Sequence, residues 1–116
     1  MACTDMIHIV RLHATAQQIS EMLEALDGYI KLAVDVQRGI LAGGGAMHAD
    51  CESALLEDGS VQQDVWEADW YPSSQQIAYE SLSNIRPRQG SRSLEVTDPA
   101  IQARIAEIVR GLLGGT

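Results

Sequence analysis

Ile30-Lys31-Leu32-Ala33-Val34-Asp35-Val36, then Gln37-Arg38-Gly39, then Ile40-Leu41-Ala42: this stretch sets the fold. Ile30, Leu32, Val34 and Val36 alternate with Lys31, Ala33 and Asp35. A period of two is that of a β-strand with one buried face. Gln37-Arg38-Gly39 supplies a turn, so Ile30–Val36 and Ile40–Ala42 are expected to pair as an antiparallel hairpin. Gly43, Gly44 and Gly45 follow. No Gly-Lys-Ser/Thr comes after them, so they are not a phosphate loop. A bulge or bend of the strand fits them best, and close approach of a ligand to bare backbone is the alternative.

The reading extends outward from this hairpin. Met6–Val10 is a short apolar run and the first strand. Thr15 and Gln18 have capping-box spacing, and Ile19, Met22, Leu23 and Leu26 then form one helical face, with Gly28 as its stop. Downstream, Met47–Leu56 carries two patterns. Ala49, Cys51, Ser53 and Leu55 alternate with His48, Asp50, Glu52 and Ala54 as in a strand, while the Ala, Glu and Leu content suits a helix. The strand is the reading taken, with Asp58-Gly59 as its hairpin turn. Asp64–Tyr71 is the returning strand, closed by Pro72, and Ile77–Ile85 is another, broken by Pro87. Leu94–Val96 is a short extended piece. Asp98 caps a last helix with Pro99 in its first position and Ile101, Ile105, Ile108, Val109 and Leu112 on one stripe. Gly111, Gly114 and Gly115 should fray its end. The expected fold is therefore a single α+β domain over residues 1–116. One antiparallel sheet of hairpins carries an N-terminal and a C-terminal helix on one face.

Composition narrows the function. The chain has 116 residues and a formal net charge of −8. From Gly39 to Ile85 there is no Lys or Arg, and eight acids fall there, so the middle carries the whole imbalance. With five aromatic residues and that charge, the chain lacks what nucleic-acid binding needs. No apolar run is long enough to span a bilayer, and Met1–Val10 has no secretory pattern. Cys3 and Cys51 match no metal-binding spacing. A reduced pair in a cytoplasmic protein is the favoured reading over a disulfide. The acidic middle reads either as a solvated face or as a surface for a cation or a basic partner.

Two clusters hold candidate chemistry. On a strand, His48, Asp50 and Glu52 would share one face at about 6.5–7 Å intervals. A histidine and two carboxylates suit ligand binding or acid–base work, but they are too spread to hold one metal ion without a further group. On a helix, His48 and Glu52 would instead be i, i+4 partners. The second cluster is Asn84-Ile85-Arg86-Pro87-Arg88-Gln89-Gly90-Ser91-Arg92-Ser93. Arginine forks suit carboxylates and phosphates, so Arg86 and Arg92 either tie the loop to the acidic middle or bind an anion or partner. No nucleophile elbow is present.

Gly44-Gly45, His48-Ala49-Asp50, Glu52, Asn84-Ile85-Arg86-Pro87, Gln89-Gly90 and Arg92-Ser93 together resemble a small prokaryotic family of unknown function. The family pattern reads G-G-E-L-H-A-D in the middle and I-N-I-R-P-x-Q-G-N-R-S in the loop. This chain has Ala46-Met47 in place of E-L, Glu67 in place of a Gly after Trp66, and Ser83 and Ser91 in place of Ile and Asn. The resemblance implies a member of a family of unknown function, of the kind carried on mobile genetic elements, and it brings no activity.

The resulting expectation is a small cytoplasmic binding module. Its site would be His48, Asp50, Glu52, Asn84, Arg86, Gln89 and Arg92. The ligand would be a small anion or a protein partner, with neither nucleic acid nor membrane involved. No cofactor or metal is expected, and sheet edges together with complementary charges point to a homodimer or larger. The rival reading is a small metal-assisted or acid–base hydrolase. It would use His48 as base, Asp50 or Glu52 as its orienter or a metal ligand, and Arg86 as an anion clamp.

Overall fold

The protein is seen in a computed structural model that describes residues 7–81, 84–85 and 95–115. Its elements run β1 (His8–Val10), α1 (Ala16–Met22), β2 (Ile30–Asp35), β3 (Ile40–Gly45), α2 (His48–Glu57), β4 (Val65–Tyr71), β5 (Gln76–Ala78) and α3 (Pro99–Leu113). The strands form one antiparallel sheet in the order β1-β3-β2-β4-β5. The α+β class holds, with α1 and α3 over one face.

The expected hairpin is present. β2 pairs with β3 from Asp35↔Ile40 to Lys31↔Gly45. Asp35 shapes the turn: its Oδ1 accepts the backbone N–H of Gln37 at 2.9 Å and of Arg38 at 3.0 Å. Gly39 follows at φ +71°. The bulge expected of the glycine triplet is also there. The register slips between Lys31 and Leu32, leaving Gly44 unpaired at φ +105°. Gly43 faces a crowded core, where an added Cβ would lie 2.8 Å from Leu32 Cδ2.

Three expectations are corrected. Met47–Leu56 is not a strand: His48–Glu57 is the helix α2. It lies across the face of the sheet opposite α1 and α3, where Cys51 and Leu55 pack with Ala33, Ile40, Ala42 and Val65. Strand β2 is consequently buried on both faces, with Ala33 at 0% and Asp35 at 1% exposure. Asp58-Gly59 is the end of that helix and not a hairpin turn. Gly59 sits at φ +106°, its N–H bonds the Leu56 carbonyl, and the Ser60 N–H bonds the Leu55 carbonyl. This is a Schellman cap. Finally, among the described residues the Ile77–Ile85 strand shrinks to β5 plus the bridge Glu80↔Glu95.

The terminal helices follow their sequence signals more closely. Thr15 and Gln18 form the capping box of α1, which ends at Met22, before the expected stop at Gly28. Asp98 caps α3, Pro99 opens it, and the helix runs through Gly111 to Leu113. Ile19 and Met22 of α1 meet Ile105, Ile108, Val109 and Leu113 of α3 over Ile30, Leu32, Val34, Leu41, Trp66 and Trp70. Among the described residues, no helix is long and apolar enough to cross a membrane.

Candidate functional site

On the α2 side of the sheet, β2 and β4 form a ladder of facing pairs: Lys31↔Asp69, Ala33↔Glu67 and Asp35↔Val65. Tyr29 and Tyr71 extend it by one rung, stacked with centroids 5.2 Å apart and planes 15° apart. Helix α2 starts over the Asp69 rung, where His48 docks, and runs towards Val65, against which Leu55 packs. The tyrosine rung thus lies beyond the start of the helix. Lys31, Asp69, Tyr29 and Tyr71 form a shelf at its N-terminal end.

His48 is the group that joins helix to shelf. Its Nε2 lies 2.8 Å from Asp69 Oδ1 and 3.2 Å from the Ala68 carbonyl oxygen. Both neighbours are acceptors, so Nε2 carries the proton and donates. In the neutral imidazole Nδ1 keeps its lone pair, and it has no hydrogen-bond partner among the described residues. The two side chains are 13% and 14% exposed, so the pair is shielded yet reachable. Beside it, Tyr71 has its phenol pKa raised, first by burial and then by the charges of Asp69, Tyr29 and Glu80. It remains a neutral hydroxyl through the physiological range.

The helix separates the three residues that a strand would have aligned. His48 turns to β4. Glu52, one turn on, accepts a 3.4 Å hydrogen bond from Gln62 Nε2. Asp50 sits against β3, where a Cβ added at Gly45 would lie 3.1 Å from the Asp50 Cβ. The carboxylate beside His48 is therefore Asp69, and neither Asp50 nor Glu52 orients the ring. Asn84 comes to the same strand from its other edge. Its Oδ1 accepts the Glu67 N–H, and its Nδ2 donates to the carbonyls of Glu67 and Tyr79, each at 3.1 Å. The amide thus stands in for the rung that β5 no longer supplies. Arg86, Gln89 and Arg92, with the arginine-loop expectations, lie outside the described residues.

Sequence reading passed over Asp69, Tyr29, Tyr71 and Lys31. A signal was available. In Val65–Tyr71 the set Val65, Glu67, Asp69, Tyr71 alternates with Trp66, Ala68, Trp70, so two carboxylates and a phenol share a strand face. A second charged cluster was also missed. Asp58 accepts from Arg11 at 2.6 Å and from Arg38 at 2.7 Å, and Arg38 also donates to the buried Ser60 hydroxyl. These bonds hold the Asp58 carboxyl below its ordinary pKa. They tie the β1 end and the hairpin turn to the α2 cap. Among the described residues, no three His, Cys, Asp or Glu side chains are grouped to hold a metal ion.

The family model described as protein of unknown function (DUF5674) matches residues 8–112, and the chain belongs to that family. No curated protein and no solved structure matches it.

Proposed function

We propose that this DUF5674 member is a small cytoplasmic binding module whose ligand seat is the shelf at the N-terminal end of α2. The observation that supports this reading is the imidazole of His48, fixed through Nε2 with Nδ1 unengaged among the described residues. An oriented ring with one open nitrogen is prepared to meet a group from outside. Asp69 and the Ala68 carbonyl fix the ring before any ligand arrives, which lowers the ordering cost of binding. The loop arginines Arg86 and Arg92 begin two residues after Asn84 in sequence, and they suit a second, anionic group carried elsewhere on the same ligand or protein partner. Self-association through the sheet edges belongs to the same proposal.

Histidine-labelled NMR spectra test it. Inorganic phosphate and butylammonium are added separately. At least one is expected to move the His48 signals while His8, held by Glu21, and His13, held by the Gly114 carbonyl, stay in place. No movement with either probe at millimolar concentration refutes the shelf as a ligand seat.

The carboxylate–imidazole pair also supports a second reading, an acid–base hydrolase. There His48 Nδ1 would draw a proton from water and Asp69 would stabilise the imidazolium. Nitrophenyl acetate separates the two readings. A binding module leaves its hydrolysis at the level of His48→Gln, whereas a hydrolase loses about a hundredfold or more on that change.

A further inference from the structure

The tyrosine pair and the charge around it are not used by the reading above. Tyr29 and Tyr71 are half-buried and stack at the open end of the shelf. Asp69 adjoins them on the same face of the sheet, and its Oδ1 is taken by His48 while no hydrogen bond from the described residues engages its Oδ2. We infer that the shelf binds an organic ammonium group, taken by His48 Nδ1 and Asp69 and packed against the Tyr29–Tyr71 pair. This inference rests on the shelf being a ligand seat and names the chemistry of its ligand.

Donor direction, charge and shape all favour an ammonium group at the shelf. The first is donor direction. Since His48 Nε2 faces two acceptors, Nδ1 of the neutral ring is an acceptor. The group that meets it must bring an N–H or O–H. The second is sign of charge. Asp69 and Glu80 both raise the Tyr71 pKa, so both place negative potential at the phenol. No Lys or Arg occurs between Gly39 and Ile85, and the whole chain carries −8. A cationic donor is favoured over a neutral one by this field. The third is shape. Aromatic faces attract ammonium groups, and stacking at 5.2 Å leaves each tyrosine one outer face for such a group.

Among the described residues, two local groups oppose a cation. Lys31 faces Asp69 across the ladder, although it forms no ion pair among the described residues. The α2 N-terminus is positive and lacks a side-chain cap, but Asp50 in its first turn offsets that end. Lys31 is therefore an internal competitor, and its removal has a definite sign. Charge removal at Lys31 strengthens ammonium binding and weakens anion binding.

The experiment is an NMR titration of the full chain with butylammonium, inorganic phosphate and a trilysine peptide. Butylammonium is expected to shift His48, Tyr29 and Tyr71 together, with saturation in the millimolar range. Asp69→Asn should weaken it roughly fivefold, and Lys31→Gln should strengthen it roughly threefold, the size of single surface-charge effects. A dispersed spectrum certifies that each variant is folded. If Asp69→Asn is not, Tyr29→Leu carries the test, with an expected loss of roughly two- to fivefold. Trilysine binding more than about tenfold tighter than butylammonium identifies the source as a basic protein segment; comparable binding identifies a small amine. A shift with phosphate alone overturns the ammonium assignment while leaving the ligand seat standing. Silence from all three probes removes both. Weaker butylammonium binding in Lys31→Gln also overturns the assignment.

Discussion

Asn84 shows how one side chain can replace a stretch of strand. Where β5 stops, the Glu67 N–H and C=O would be left in a buried place, and the Asn84 amide takes both. Asn84→Ala leaves these groups without that partner, at about 1–3 kcal/mol for each unsatisfied buried group. We expect a loss of about 3 kcal/mol in urea unfolding. A loss below about 1 kcal/mol would mean that water reaches the site. Two titrations give further residue-scale expectations. Tyr71 has a raised phenol pKa, so the folded state disfavours the phenolate. Its contribution is whole below the unfolded value of 10.0 and is lost as pH climbs past it, and Tyr71→Phe should remove that decline. Asp58 runs the other way. Its lowered pKa contributes stability above its ordinary 3.8 that is lost as pH falls through the folded value. Arg11→Gln with Arg38→Gln should flatten the acid limb of an unfolding-versus-pH curve. Asn84, as a residue type in a loop motif, was legible as special. Its task was not, because a bracket on strand backbone depends on where β5 ends.

At the scale of elements, local signals decided most boundaries, and one helix escaped them. The hairpin, the capping box and the Asp98-Pro99 start each rest on neighbouring residues, so they read directly. Helix α2 does not, because only Cys51 and Leu55 are buried in it. Two contacts four residues apart fit a helix, but the same two positions also lie on one side of a period-two pattern. Asp58-Gly59 was equally ambiguous, since a positive-φ glycine serves both hairpins and helix caps. The error carried into the site: a strand would have aligned His48, Asp50 and Glu52, and the helix sends them three ways. Gly59→Ala tests the cap. At φ +106° the new side chain is strained, and a loss of about 1–2 kcal/mol is expected in thermal or urea unfolding. Gly43→Ala tests the crowded side of β3. Its Cβ would press on Leu32, Ile30 and Met22, all fully buried or nearly so. Overpacking of this kind costs about 1–3 kcal/mol.

For the whole molecule, both faces of the central strands are covered, α1 and α3 on one and α2 on the other. The surfaces left for association are the edges and the charge pattern. β1 and β5 close the sheet, and each is three residues long. Short edges are a common guard against uncontrolled pairing, yet they still present backbone groups to a second copy. Charge argues in both directions. A net −8 repels identical copies, while the basic residues of 86–92 offer the acidic middle of a neighbour a complement. If complementarity wins, the chain sediments as a homodimer or larger at micromolar concentration, and salt dissociates it because screening acts within about 10 Å at 0.1 M. If edge pairing dominates, salt strengthens the assembly by quieting the repulsion. A 12.6 kDa species at every salt concentration rules out self-association. Arg86→Ala with Arg92→Ala separates the first two cases, since it abolishes the charge-driven dimer and leaves an edge-paired one intact.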